Sequence, residues 1–456
     1  MTELTRLRAA KEWIAGLRAI RVTGRVAKID SGTILATGFG TQARIGDRVE
    51  IRRASGNVLT GEVIQLSAQG ALVLPEDFVE GAALHDRVVL DGPTSIAPDA
   101  SWLGRIIDPN GVPMDGGALF AGLVPRPLRM PPPAPAERRG LGTRLDTGLA
   151  ALNTMLPIVG GQRVGLFAGA GVGKSSLLGE LAKNMQADVV VMAMIGERGR
   201  ELRHFVNAVL GSEGLKRSVI IAATSDQSPL LRRRCAWTAM TVAEYFRDQG
   251  KSVLFLADSI TRFAEAHREI SVAAGEAPVL RGHPPSTAHL IMSLCERAGP
   301  GAGDAGDITG VFSVLVAGSD MDEPVADILR GVLDGHVVLD RAIAERGRFP
   351  AIDVIRSISR SLPDAASEAE NMTIQSVRRA LSIYDRNEMM ITAGLYTAGS
   401  DPEIDWAIAL WPQIEEFLSR REVNGIEQSF SQLGLILRRA KTKNGLTVAR
   451  GAQDVA

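Results

Sequence analysis

The residues with the clearest chemical signature lie between 168 and 176, where the sequence reads Ala-Gly-Ala-Gly-Val-Gly-Lys-Ser-Ser. This segment follows the apolar run RVGLF and opens the run SSLLGELAKNM, so a strand, a glycine-rich loop and a helix are predicted in that order. Glycines let backbone N–H groups curl around phosphate oxygens, and a helix N-terminus adds a favourable dipole. The segment therefore predicts a nucleotide-binding P-loop, although Ala168 stands where the usual pattern has its first glycine.

The residues of this loop have expected parts in binding ATP and Mg²⁺. Lys174 would neutralise phosphate charge, and the hydroxyl of Ser175 would coordinate magnesium. Contacts to the nucleotide are expected from eight consecutive residues, namely Gly169, Ala170, Gly171, Val172, Gly173, Lys174, Ser175 and Ser176.

Two carboxylates follow apolar runs and could complete this chemistry. VLFLAD ends at Asp258, and VVVMAMIG is followed by Glu197. A magnesium–ATP site needs a carboxylate at the end of a neighbouring strand to hold the water shell of the metal, which is the role expected for Asp258. Hydrolysis also needs a group that orients or deprotonates the attacking water. Glu197 is the candidate for that base.

The elements that must position these residues are visible as apolar runs alternating with helical patterns between about 140 and 370. Continuous apolar runs such as DVVVMAMIG, SVIIAATS and SVLFLAD are typical of strands that are buried on both faces of a parallel sheet. The predicted fold class is α/β, with a P-loop (RecA-like) parallel-sheet core at 93–370. Charged helical periodicity then predicts a helical C-terminal domain at 371–456.

A helix and a barrel are predicted before the core, and a linker is predicted at the start of the core. Short alternating runs broken by Gly, Asp and Asn predict a small β-barrel at 21–92, and the Pro- and Gly-rich stretch at 93–139 predicts a linker. Residues 1–20 predict a basic amphipathic helix. Three interpretations of this helix stay open, namely binding to a membrane surface, docking of a partner protein, and packing on its own domain.

The composition excludes several classes of function. Lys plus Arg number 51 and Asp plus Glu number 52, and Phe39 and Phe78 are the only aromatic residues between 21 and 92, so no specific nucleic-acid binding is expected. No apolar run reaches the roughly 18 residues that a membrane span needs, and no signal peptide is visible, which predicts a cytosolic protein. Cys235 and Cys295 are expected in the core, and the six His lack the spacing of zinc ligands.

Four motifs together resemble a known superfamily. They are the P-loop, Gly196-Glu197-Arg198, FLADSITRFAEAHREI, and the segment from Pro350-Ala351-Ile352-Asp353 to Ser357-Ile358-Ser359-Arg360. Over almost the whole chain the sequence resembles the catalytic subunits of rotary ATPases and their protein-export relatives. The runs GQRVGLFAGAGVGKSSLLGE, TSDQSPLLRRR and AEYFRDQGKSVLFLADSITRFA make it most similar to the flagellar type III protein-export ATPases.

The resemblance implies roles for matching residues. Lys174 and Ser175 match the P-loop lysine and the magnesium hydroxyl, Glu197 matches the catalytic glutamate, and Asp258 matches the second-motif aspartate. Arg360 matches an arginine finger that reaches into the site of the neighbouring subunit. A base and a finger in one polypeptide fit a homo-oligomeric ring with sites at subunit interfaces, and the resemblance suggests six subunits.

Phe349 falls where relatives often carry a tyrosine that stacks on adenine. The aromatic face is kept here and the hydroxyl is lost, so stacking is expected and a hydrogen bond from this side chain is not. Plain packing in the core is the other interpretation of Phe349.

The implied function is Mg-dependent ATP hydrolysis that energises protein export through a flagellar type III secretion apparatus. Alternatives are a virulence secretion ATPase, a catalytic subunit of an F- or V-type ATP synthase, and an RNA translocase of the termination-factor class. The acidic rotor-contacting loop of the synthase subunits has no obvious counterpart between Pro363 and Ala398, and the aromatic-poor barrel argues against a translocase. A subunit that binds nucleotide without hydrolysing it is also considered, and Glu197 counts against it.

The resemblance also implies partners and a location. The expected partners are a regulatory stator-like protein at the N-terminal helix, an export gate, a central stalk and chaperone-bound export substrates. The expected location is the cytoplasm, with peripheral association with the inner membrane at the secretion apparatus.

Overall fold

The structure, a computed structural model, describes residues 21–30, 32–279, 281–316, 321–422 and 424–443. These residues fall into two compact units. The first unit contains the described residues up to Gly142, Gly160–Gly165, and the described residues of Ala187–Leu333; the second contains Thr143–Val159, Leu166–Gln186 and the described residues from Asp334 onward. The helix predicted at 1–20 lies outside the described residues.

Six antiparallel strands at the start of the first unit close into a small barrel. They are β1 (Val22–Asp30), β2 (Thr33–Thr37), β3 (Asp47–Arg52), β4 (Val58–Ser67), β5 (Gly70–Pro75) and β6 (Arg87–Pro93). Their order is β1-β2-β5-β4-β3-β6, and the interior is filled mainly by aliphatic side chains. Phe39 is buried in this core and Phe78 is 79% exposed, so Phe78 is the one exposed aromatic residue among the described residues between 21 and 92.

The segment after the barrel is held by short strands and a well-bonded loop. It contains β7 (Ser95–Ile96), a 3₁₀ helix (Ala100–Trp102), β8 (Ile106–Ile107) and β9 (Arg126–Pro127), and β7 pairs with β9. Arg105 donates to both carboxylate oxygens of Asp115 at 2.7 and 2.6 Å, and these bonds lower the pKa of Asp115 to about 2. The segment predicted as a linker at 93–139 thus contains paired strands and a salt-bridged loop, and its bounds stay a prediction.

A parallel sheet forms the core of the first unit. β10 (Arg163–Ala168) begins in the first unit and ends in the second, and it is followed by β11 (Val189–Glu197), β12 (Ser218–Thr224), β13 (Val253–Asp258) and β14 (Ile308–Leu315). Within the first unit the neighbours run β14-β13-β11-β12-β8, all parallel. All six residues of β13 are buried, as are the first eight of β11, which confirms the prediction from the apolar runs.

The helices in chain order are α1 (Ala150–Thr154), α2 (Lys174–Asn184), α3 (Gly199–His204), α4 (Gly211–Lys216), α5 (Pro229–Arg247), α6 (Ile260–Ala273), α7 (Ser286–Arg297), α8 (Pro324–Val332), α9 (Arg341–Glu345), α10 (Glu368–Thr392), α11 (Pro402–Leu418) and α12 (Ile426–Lys443). A π-helix at Phe205–Leu210 joins α3 to α4. Helices α3 to α8 belong to the first unit, and the others belong to the second. Among the described residues, we find no helix with the length and apolar character that crossing a membrane requires.

The second unit combines the P-loop segment with a hairpin and the C-terminal helices. β15 (Gly335–Leu339) and β16 (Ile352–Ser359) pair antiparallel. Ser367 and Glu370 form a capping box that starts α10, and α10 to α12 pack through buried aliphatic and aromatic residues, among them Val377, Leu410 and Phe417. The predicted fold class, with a barrel, a parallel α/β core and C-terminal helices, is confirmed. The domain boundaries at 92, 139 and 370 stay predictions.

Candidate active site

The glycine-rich loop of the second unit has the backbone of a phosphate-binding turn. It follows the buried strand β10 and ends at Gly173, the N-cap of α2. Gly171 and Gly173 both have left-handed backbones, with φ of +78° and +91°. Only glycine adopts these angles without strain, which explains why the sequence needs glycine at both positions.

Two side chains at the end of the loop are buried, and the two that follow Lys174 are exposed. Val172 is 2% exposed and Lys174, the first residue of α2, is 9% exposed. Ser175 and Ser176 are exposed at the same helix N-terminus. A helix of 11 residues with its first N–H groups and a lysine at one end forms an electropositive site for an anion.

Phe349 contacts the phosphate loop within the second unit. A Cβ built on Gly173 would lie 3.3 Å from Cδ1 and 3.4 Å from Cε1 of the Phe349 ring. The ring is 50% exposed, so Phe349 is not a core residue. An exposed aromatic face beside the glycine loop is what stacking on a nucleobase requires.

Arg360 follows β16 on a well-fixed backbone. Its N–H donates to the carbonyl oxygen of Asp334 at 3.1 Å, and the hydroxyls of Ser359 and Ser361 donate to the carbonyl oxygen of Pro157 at 2.6 and 3.2 Å. Arg360 itself is exposed. The side chain of Arg360 therefore extends from a hydrogen-bonded strand end at the surface of the unit.

Asp258 lies in the first unit at the end of β13 and is only 2% exposed. Its Oδ1 accepts a hydrogen bond from the hydroxyl of Ser313 in β14 at 2.7 Å. The next residue, Ser259, caps α6 by accepting from the N–H of Arg262. The carboxylate is thus fixed between a strand and a helix.

Glu197 ends β11 after a bulge in the pairing between Ile195 and Glu197. Gly196, in the left-handed region at φ +68°, makes the turn that lifts Glu197 out of the buried strand. Glu197 is half-buried, and its carbonyl oxygen accepts from the N–H of Ser225 at 3.0 Å. Glu197 thus lies at the end of its strand, partly accessible to solvent.

The structure places the two predicted carboxylates at the same edge of the parallel sheet. β11 and β13 are neighbours, with Met194 opposite Asp258, so Glu197 and Asp258 both lie where parallel strands end. This edge is where α/β proteins bind ligands. In the second unit the phosphate loop and Phe349 are in contact.

Sequence reasoning missed the residues that support these groups. Ser313 was hidden inside the apolar run GVFSVLVAG, where a single hydroxyl among buried aliphatic residues was the available signal. Arg232 and Glu269 lie in the quoted runs TSDQSPLLRRR and FLADSITRFAEAHREI, but nothing in these runs marks the two residues as partners, because charged residues on helices are ordinary.

Comparison with known proteins identifies the family. Residues 148–359 match the nucleotide-binding domain of the ATP synthase alpha/beta family, and residues 366–434 match the C-terminal domain of the type III secretion ATPase EscN. The flagellum-specific ATP synthase of Caulobacter vibrioides is 46% identical, with coverage of 92% of this chain and 96% of that protein. The Salmonella typhimurium protein of the same name is 41% identical over 91% and 93%. This chain belongs to the flagellum-specific ATP synthase family.

The solved structures agree with this assignment. The assembled ATPase EscN from the type III secretion system of enteropathogenic E. coli has a TM-score of 0.84 and 36% identity, with coverage of 91% of this chain and 100% of EscN. EscN in complex with its central stalk EscO gives a TM-score of 0.82 at the same identity and coverage. The predicted family, fold and ATPase activity are confirmed, and the protein is an ATPase of the type III export class.

Proposed function

We propose that this export ATPase hydrolyses Mg-ATP through the six residues Lys174, Ser175, Glu197, Asp258, Phe349 and Arg360, as one subunit of a homo-oligomeric ring. The observation that carries the proposal is the phosphate loop, in which two left-handed glycines lead into a helix that begins at Lys174. The flagellar relatives support protein export as the process that the hydrolysis energises.

Nucleotide binding is assigned to the loop and to Phe349. The N–H groups of Gly169 to Ser176 and the ammonium of Lys174 bind phosphate oxygens, which carry most of the charge of ATP. Phe349 stacks on the adenine, because its exposed ring lies against Gly173 at the start of the same helix. The lost hydroxyl removes only a hydrogen bond.

Magnesium binding is assigned to Ser175 and Asp258. A hydroxyl and a carboxylate are the hard oxygen donors that Mg²⁺ prefers, and the ion takes its remaining ligands from phosphates and water. Among the described residues no group of three or more His, Cys, Asp or Glu is placed to hold a metal ion. The donor set fits an ion that arrives with the nucleotide and neutralises phosphate charge when bound.

Catalysis is assigned to Glu197 and Arg360. Glu197 orients the attacking water and accepts its proton, and Arg360 of a neighbouring subunit stabilises the negative charge that develops on the phosphoryl group. EscN has been solved as an assembled ATPase, which supports an assembled form of this chain, and we propose a hexamer. One chain then supplies both the base and the finger.

The proposed partners extend the ring to the export apparatus. EscN has been solved in complex with its central stalk EscO, and a stalk of this kind is proposed here as well. A stator-like regulatory protein at residues 1–20, an export gate and chaperone-bound substrates complete the set. We place the ring in the cytoplasm at the inner membrane, held by partners.

Steady-state hydrolysis and subunit mixing test the proposed roles. Glu197→Gln should keep ATP affinity and lose at least about 100-fold in kcat, while Glu213→Gln, which alters an exposed ion pair with Lys216, should be unaffected. Arg360→Ala should be inactive alone, and the matched control is Arg341→Ala, whose side chain is 77% exposed.

Mixing the two inactive variants tests the shared site. An equal mixture of Glu197→Gln and Arg360→Ala subunits restores both groups at about a quarter of the interfaces, so activity should recover to about that fraction. No recovery at any ratio would contradict a site shared between subunits. Turnover by Glu197→Gln at the normal rate would remove Glu197 from the role of base.

A further inference from the structure

The turn that carries Glu197 is packed against an arginine outside the assigned machinery. A Cβ built on Gly196 would lie 3.5 Å from Cδ of Arg232 in α5 and 3.4 Å from Cβ of Arg262 in α6. The aliphatic part of Arg232 therefore lines the backbone of the turn. The packing of this side chain therefore restrains the backbone that directly precedes Glu197.

Arg232 is held by two other elements of the first unit. Its NH2 group donates to both carboxylate oxygens of Glu269 in α6, at 3.0 and 2.8 Å, and its Nε donates to the carbonyl oxygen of Gln227 at 3.2 Å. The side chain is 13% exposed. Bonds from two nitrogens of a planar guanidinium fix its orientation as well as its position.

Gln227 continues the connection to Glu197 on the neighbouring strand. Its Oε1 accepts from the N–H of Thr224 at 3.0 Å, and Thr224 is the register partner of Glu197. The N–H of Ser225 donates to the carbonyl oxygen of Glu197. Residues 224–227 thus bound the backbone of Glu197 on one side, and Arg232 contacts both this segment and Gly196.

The helical turn that carries Arg232 is itself anchored. Arg233 donates to Glu62 of β4 at 2.7 Å, and the next residue, Arg234, donates to Glu76 just after β5. All four side chains are buried, so moving this turn would leave buried charges unpaired. Arg232 therefore projects from a part of α5 that resists displacement.

We infer that Arg232, clamped by Glu269, is a positioning residue for Glu197. It acts through the backbone of Gly196 and keeps the carboxylate of Glu197 aimed at the attacking water. The inference rests on the proposed role of Glu197 as the base. The Arg232–Glu269 ion pair affects the position of Glu197 relative to the attacking water and not the binding of ATP. Its loss should therefore lower kcat and leave the KM for ATP nearly unchanged.

Arg232→Met keeps the aliphatic part of the side chain and removes the ion pair with Glu269. We expect kcat to fall between about 10- and 100-fold, with KM within about twofold of wild type. Glu269→Gln should show the same pattern to a smaller extent. The exchange Arg232→Glu with Glu269→Arg re-forms the ion pair and should recover part of kcat relative to Arg232→Glu alone.

The matched control is Arg126→Met, which removes an Arg126–Asp248 ion pair of 2.6 Å at the other end of α5. It should leave kcat and KM unchanged. Wild-type kcat in Arg232→Met, an equal loss in the control, or a larger effect on KM than on kcat would overturn the inference. If Arg232→Met fails to fold, the same kcat and KM comparison is made on Glu269→Gln.

A parallel measurement of Glu197→Gln separates the two proposals. If Glu197→Gln turns over ATP normally, the proposed base fails. If Glu197→Gln is inactive and Arg232→Met retains wild-type kcat, only the positioning role fails.

Discussion

The hydroxyl of Ser313 donates a hydrogen bond of 2.7 Å to Oδ1 of Asp258. Both residues are buried, and they lie on the neighbouring strands β14 and β13. This bond fixes the orientation of the carboxylate to which we assign magnesium. Partners of this kind tune metal ligands although they do not touch the metal.

Ser313→Ala should raise the magnesium concentration that ATP hydrolysis requires. The substitution removes the hydrogen bond from the Ser313 hydroxyl and leaves a buried acceptor oxygen of Asp258 less satisfied. We expect the magnesium concentration for half-maximal activity to rise by about 10-fold. A Mg²⁺ titration at fixed ATP measures it, with Ser293→Ala on the exposed face of α7 as the control. Identical titration curves for wild type and Ser313→Ala would show that this bond does not affect the metal.

Phe349→Ala should lower affinity for ATP without lowering affinity for inorganic triphosphate. The exposed ring lies beside Gly173, where stacking on the base contributes about 1 kcal/mol or more, and triphosphate has no base to stack. Phe349→Tyr keeps the aromatic face and should bind both ligands normally. Calorimetric titration of the two ligands measures the difference. An equal loss for ATP and triphosphate would instead indicate a general disturbance of the loop.

Glu76→Gln should destabilise the first unit. Burial raises the pKa of Glu76, but the charge of Arg234 and a hydrogen bond from Thr60 outweigh it, so the net pKa is lowered and the group is ionised at neutral pH. Neutralising it leaves Arg234 buried beside an uncharged amide, at a cost of roughly 3 kcal/mol. Thermal unfolding of Glu76→Gln and of the exposed control Glu80→Gln measures the effect. Equal melting temperatures would show that Asn110 and Glu62 satisfy Arg234 without Glu76.

Because of His267, the free energy of unfolding should decrease as the pH falls from about 6.5 to 4. Burial, together with the neighbouring Arg233, Arg129 and His283, lowers the pKa of His267 from 6.5 to about 4. The negative charge of Glu276 opposes this shift. In this window the unfolded chain binds a proton that the folded chain does not, so the stability is fully present above pH 6.5 and decreases toward pH 4.

Melting temperatures between pH 4 and 8 test this expectation. His267→Gln should flatten the acid side of the profile relative to wild type, and His204→Gln on an exposed helix end should not. A wild-type slope that persists in His267→Gln would assign the acid sensitivity to other groups.

Much of the architecture follows from local patterns in the sequence. The loop from Gly169 to Ser176 can be predicted from the sequence because its backbone angles require glycine at fixed spacing. Phosphate and magnesium binding also require a lysine and a hydroxyl next to these glycines. The strands of the core are readable because burial on both faces selects continuous apolar runs. The positions of Glu197 and Asp258 at the ends of such runs suggest their roles.

The supporting contacts were decided only by the tertiary structure. Ser313 meets Asp258 across 55 residues of chain, Arg232 meets Glu269 across 37, and Arg233 meets Glu62 across 171. Each pair depends on the order and register of strands and on how a helix packs upon them, which no local pattern contains. A charged residue on a helix looks the same whether it faces water or a buried partner. The sequence therefore determined which groups can do the chemistry, and the packing of the chain decided which residues hold them in place.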